Sequence, residues 1–165
     1  MQTTQNRKKV PSILQMEAVE CGAASLAMIF AYYKKFLPLE KLRVDCGVTR
    51  DGVKASNILK AARRYGFVAR GFRKEPEELK TMPLPAIIHW NFNHFVVLEG
   101  FGKDKVFIND PGSGARTISE EEFDMAFTGV ILTIEPGPDF QPSGKKNSFI
   151  DSLKNWLTGS QTAIT

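Results

Sequence analysis

Helical apolar spacing in the first half of the chain, strand-like runs in the second, and helices that come before the strands instead of alternating with them predict an α+β domain. In it, helices would pack on an antiparallel sheet. The 165 residues suffice for one domain with its own core, and 42% hydrophobic with 10% aromatic residues is an ordinary globular balance.

The first helix is expected over residues 21–33, where nearly every position is apolar or small. With no polar stripe to face water, it should sit centrally and buried. A short second helix is expected over 39–44. A third is expected from Asp51 as N-cap, through Ile58, Leu59, Ala62 and Tyr65, to Gly66 as C-cap. The period then changes. PAIIHW, HFVVLEGF, KVFIND and GVILTI read as strands separated by Gly, Asn and Lys turn signals, and SEEE at 119–122 reads as a capping box opening a short helix before the last strand. EPGPDFQPSGKKN at 135–147 reads as a Pro/Gly-rich linker, so the expected division is a domain over 1–136 and a linker with a helix over 137–165. In that tail Phe149, Ile150, Leu153, Trp156 and Leu157 recur at helical spacing, with Lys145 and Lys146 just before them. A helix at a membrane surface is one reading, and a helix folded back on the domain is the other.

Several function classes recede at once. Cys21 and Cys46 are too few for a disulfide framework, and with two histidines there is no recurrent Cys/His spacing for zinc. A reducing compartment fits. The start, MQTTQNRKKVPS, has basic residues but no apolar run after them, and no window reaches the ~18 uncharged apolar residues of a membrane span, so the chain is expected to be soluble. The net charge of +4 is scattered in short clusters such as Arg7, Lys8 and Lys9, without a basic stripe interleaved with aromatics. No nucleic-acid partner is expected.

Folding HFVVLEGF back on KVFIND around Gly102 sets Val96 opposite Ile108, Leu98 opposite Val106, and Glu99 opposite Lys105, so apolar meets apolar and opposite charges meet. At the open end of this ladder His94 faces Asp110, with Cβ atoms expected within ~5 Å. A carboxylate so placed fixes one imidazole nitrogen and leaves the other free to exchange a proton with a nucleophile. The candidate nucleophile is Cys21, because unpaired N–H groups and the dipole at a helix start favour a thiolate. Gly22 permits close approach of another segment. Gln15, six residues before Cys21, can offer its side-chain amide to a developing oxyanion, with the Cys21 N–H as second donor. A lone cysteine in an apolar helix is commonly core, and a His beside an Asp is commonly structural; the conjunction of Gln, Cys-Gly, His and Asp favours catalysis. Cys46, followed by turn residues instead of a helix, reads as structural, and His89 has no evident carboxylate partner.

QMEAVECGAASLAMI, HWNFNHFVVLEGF and FINDPGSGARTISEEEFDMAFTGVILTIEP resemble the C39 family of papain-like cysteine peptidases, found at the N-terminus of ABC transporters that export bacteriocins and lanthipeptides. The resemblance covers residues 11–136. It implies a papain-like fold with Cys21 as nucleophile, His94 as general base and acid, Asp110 as its orienter and Gln15 as oxyanion-hole donor. Cys-Gly-Ala-Ala-Ser replaces the Cys-Gly-Ser/Ala-Cys-Trp/Tyr run of plant-type papain enzymes, so papain-like specificity is not implied. The implied substrate is a precursor peptide whose helical leader ends in Gly-Gly or Gly-Ala, cut after that pair. The implied partners are transmembrane and ATPase domains of the same transporter, on the cytoplasmic side of a bacterial membrane, and the membrane itself is met only through that transporter. No Walker-type glycine loop is present, so no cofactor is expected in this chain, and ATP belongs to the absent nucleotide-binding domain. A non-catalytic C39-like cargo-binding domain and another Cys-His-Asp acyl-transfer enzyme are the alternatives.

Overall fold

A computed structural model of the chain describes residues 7–143. Three helices come first: α1 (Cys21–Tyr32), α2 (Leu39–Asp45) and α3 (Ala55–Arg64). Strands β1 (Phe67–Arg73), β2 (Ala86–Trp90), β3 (His94–Gly102), β4 (Lys105–Asp110) and β5 (Gly114–Ser119) follow, then α4 (Glu120–Ala126) and β6 (Phe127–Pro136). The strands form one antiparallel sheet in the order β1-β6-β2-β3-β4-β5. This is the α+β architecture the sequence predicts.

The sheet is covered on both faces. On one, Leu26 and Phe30 of α1, Leu42 of α2 and Ile58 of α3 pack with Phe67, Ile87, Val97 and Leu132. On the other, Phe123 of α4 packs with Ile88, Val96, Leu98, Ile108 and Ile131. Helix α1 is buried at every position from Cys21 to Ala31, which explains its lack of a polar stripe. Residues 7–15 run as an extended strap over the sheet. Lys8 N–H donates to the Glu99 carbonyl at 2.7 Å, Asn109 Nδ2 donates to Ser12 Oγ at 3.0 Å, and Gln15 N–H donates to the Pro111 carbonyl at 2.8 Å.

Several expectations need correction. Helix α3 begins with Lys54 as N-cap, not Asp51, because Thr49 to Gly52 closes a tight turn in which Gly52 takes φ 99, a conformation no helix continues. Ser119 does cap α4, accepting from Glu122 N–H at 3.1 Å, but the Glu122 carboxylate is drawn to Arg116 at 2.9 Å instead of closing a capping box. The linker expected from residue 137 packs on the domain. Phe140 sets its ring, tilted, 4.6 Å from that of Phe67, and Phe36 N–H donates to the Ser143 carbonyl at 2.9 Å. The amphipathic helix expected beyond it lies outside the described residues.

The register of β3 and β4 differs most informatively. The turn is Lys103 and Asp104, so Gly102, Phe101 and Gly100 pair with Lys105, Val106 and Phe107, whereas Leu98 and Val97 pair with Ile108 and Asn109. Glu99 is the extra residue of a β-bulge between these two stretches. It does not face Lys105. Its fully buried carboxylate accepts from Arg7 Nε and Nη2 at 3.1 and 3.0 Å and from Val10 N–H at 3.0 Å. Extended without the bulge, the turn's register would set Asp110 opposite Val97, which puts His94 and Asp110 on opposite faces of the ladder. Leaving Glu99 unpaired restores a shared face, because side chains alternate with period two.

Candidate active site

Cys21 is the first residue of α1, nearly buried, so its thiol lies where the helix has unpaired N–H groups. Gly22 beside it is pressed against the loop before α3: a Cβ there would stand 2.4 Å from Val53 Cγ1 and 2.9 Å from Ile58 Cδ1. Only glycine allows that approach, and it seats the start of α1.

His94 opens β3 and Asp110 closes β4. Continuing the observed pairing sets Asp110 opposite Val96, so His94 and Asp110 meet as diagonal neighbours, not as the directly opposed pair expected from the sequence. Diagonal placement suffices for an imidazole: His94 Nε2 lies 2.7 Å from Asp110 Oδ1. The same oxygen accepts from Gly112 N–H at 2.7 Å. The Cys21 thiol is close enough to contribute to the charge balance of the His94 ring. Burial works against charge on His94, but the Asp110 hydrogen bond and the pull of Asp110 and Cys21 outweigh it and raise the imidazole from 6.5 to about 9. Burial likewise opposes charge on Asp110, yet the His94 bond, the Gly112 N–H and the charges of His94 and Arg116 hold its carboxyl below the ordinary value. His94 and Asp110 thus form a hydrogen-bonded pair, with the Cys21 thiol near the imidazole.

Gln15 reaches the same place from the strap. A Cβ on Gly112 would lie 3.2 Å from Asp110 Oδ1 and 3.9 Å from both Gln15 Oε1 and His94 Nε2, so the absence of a side chain at Gly112 leaves the space among these three groups open. Gln15 Oε1 is buried and has no hydrogen-bond partner among the described residues. All four residues singled out in the sequence therefore lie together.

The other two sequence candidates stay apart. Cys46 is fully buried, and burial, with Asp45 adding and Arg64 opposing, pushes its thiol up to about 12. His89 Nδ1 bonds Thr128 Oγ1 at 2.9 Å and its ring packs against Phe95; burial and the nearby His94 charge lower its pKa. Sequence reasoning passed over Gly112 and Glu20. The Pro-Gly pair after Asp110 was a usable signal for the first. Glu20 gave none beyond its place before Cys21.

The Peptidase C39 family model matches residues 9–139. The colicin V secretion/processing ATP-binding protein CvaB of Escherichia coli is 38% identical over 135 residues, covering 82% of this chain and 19% of that protein. The transport/processing ATP-binding protein ComA of Streptococcus pneumoniae is 33% identical over 148 residues, 84% of this chain and 21% of that one. The chain spans about a fifth of the length of the curated relatives it matches. Among solved structures, a double glycine motif protease from an AMS/PCAT transporter, crystallised in complex with the leader peptide, is 61% identical with a TM-score of 0.78, covering 81% of this chain and 96% of that one. The peptidase domain of Streptococcus ComA shares the fold, with a TM-score of 0.74 at 24% identity over 78% of this chain and 99% of that one.

Proposed function

The chain belongs to the peptidase C39 family, and from that membership we propose that it is a cysteine endopeptidase cutting precursor peptides after a leader that ends in Gly-Gly or Gly-Ala. The observation that supports the reading best is the hydrogen-bonded His94–Asp110 pair beside Cys21 at the start of α1. The 61% identity to a double glycine motif protease bound to a leader peptide supports the substrate class.

The chemistry follows from the roles. Cys21 sulfur attacks the carbonyl carbon of the last leader residue, and the electron pair moves to the carbonyl oxygen. The Gln15 amide and the Cys21 N–H donate to that oxyanion. As it collapses, the C–N bond breaks and the His94 imidazolium gives its proton to the leaving amine, freeing the core peptide and leaving a thioester on Cys21. His94 then takes a proton from water, the hydroxide adds to the thioester, and the leader leaves as a carboxylate with the thiol regenerated. Asp110 holds the imidazole tautomer throughout and does not itself become protonated. A glycine pair before the cut fits a narrow slot that excludes side chains by size.

The precursor's leader, in this reading, docks as a helix, and the released core passes to transmembrane and ATPase domains of the same exporter, which carry the ATP chemistry. Among the described residues no helix is long and apolar enough to cross a membrane. Incubating the chain with a synthetic precursor bearing a Gly-Gly leader, followed by mass spectrometry, should show a single cut after the pair, absent with Cys21→Ala. An intact precursor that still binds would instead favour a non-catalytic cargo-binding domain.

A further inference from the structure

Between Gln15 and Cys21 the chain turns through a short 3₁₀ segment, Ala18–Glu20, and that turn is built around one buried side chain. Glu20 Oε2 accepts from the backbone N–H groups of Met16 at 2.8 Å and Glu17 at 3.1 Å. Its Oε1 accepts from Arg43 Nη1 at 3.0 Å, and Arg43 Nη2 reaches Glu17 Oε1 at 3.0 Å. Met16 N–H belongs to the peptide unit that joins Gln15 to Met16, while Glu20 is bonded directly to Cys21. A single carboxylate therefore ties the backbone that carries the Gln15 amide to the residue whose next peptide N–H is that of Cys21. Arg43, on α2, compensates the buried charge and anchors the turn to the helical layer.

We propose that Glu20 is the positioning residue of the oxyanion hole: it fixes Gln15 relative to the Cys21 N–H, and does so by the reach of its carboxylate to two backbone donors. The proposal rests on the peptidase reading above. Oxyanion donors act where charge develops in the transition state, so a small displacement of Gln15 lowers turnover while leaving substrate affinity alone. Thiol alkylation by iodoacetamide is displacement at a saturated carbon and makes no oxyanion. It needs Cys21 and its imidazole but not Gln15.

The test uses the full 165-residue chain, a Gly-Gly precursor peptide and iodoacetamide. Glu20→Ala should lower kcat by ~10-fold or more, with KM and the rate of Cys21 alkylation unchanged. Glu20→Asp keeps the charge but withdraws it by one carbon, and should show the same selective loss. Glu20→Gln keeps an oxygen within reach of both N–H groups and should recover most of kcat. Fully buried Cys46 becomes alkylated only on unfolding, so it reports whether each variant is folded. If Glu20→Ala unfolds, Glu20→Asp and Glu20→Gln decide. Wild-type kcat in Glu20→Asp, or kcat and alkylation falling together in a folded variant, overturns the proposal. A wild-type chain that leaves the precursor uncut removes the peptidase reading, and this proposal with it.

Discussion

One oxygen of Asp110 takes both the His94 ring and the Gly112 N–H, so the imidazole is held by a carboxylate that is itself held. The signs of the two shifts are opposite. His94, raised to about 9, contributes stability that is complete below its ordinary 6.5 and lost as pH rises through about 9. Asp110, lowered, contributes above its ordinary 3.8 and loses that as pH falls through its folded value. Leader cleavage should therefore decline above about pH 9, where the imidazolium that protonates the leaving amine is lost. In Asp110→Asn the alkaline limb of kcat/KM should move down by ~1 pH unit or more, and a limb that stays in place would take Asp110 out of its proposed role. Gln15→Ala should cost ~10²-fold in kcat with little change in KM, measured by steady-state cleavage. A side chain at Gly112 would crowd Asp110 Oδ1 at 3.2 Å, so Gly112→Ala should slow cleavage without lowering the melting temperature much. All four proposed residues were legible in the sequence because each carries its own chemical signal. Glu20 was not, since a glutamate before a helix reads as solvated until its partners are known.

At the scale of elements, the sequence displayed the interior and hid the margins. Helix α1 and strands β2, β3, β4 and β6 are apolar runs, and all were recognised. Strands β1 and β5 are the two edges of the sheet, FVARGFR and GARTIS, interrupted by arginine and glycine because one side has no neighbour. Their pattern is too weak to separate from loop. The bulge was hidden for a different reason: Glu99 and Lys105 look like a cross-strand ion pair, and only the strap, through Arg7, reveals where the carboxylate goes. Glu99→Ala should destabilise the fold by about 2–3 kcal/mol in urea unfolding, since it leaves Val10 N–H and the half-buried Arg7 without their acceptor.

Across the whole molecule, the expected boundary at residue 136 falls short of where the packing stops. Phe140 lies against Phe67 beneath the end of α1, and Lys35 pairs with Ser143. A chain ending at 136 should therefore melt below one ending at 143, by about 1–2 kcal/mol for the apolar area of one half-buried phenylalanine. Equal melting temperatures would show residues 137–143 to be dispensable. The strap passes the same region, where Lys9, Val10 and Pro11 share a cleft of about 310 Å³ with Ala31, Tyr32 and Lys34. Incoming and outgoing backbone thus gather at one end of α1 while the thiol stands at the other, about 18 Å away along twelve residues of helix. In mechanical terms α1 is a strut with both segments of backbone gathered at its foot. Force entering at that foot meets the packed layer around Tyr33 and Phe67, a helix length away from the thiol.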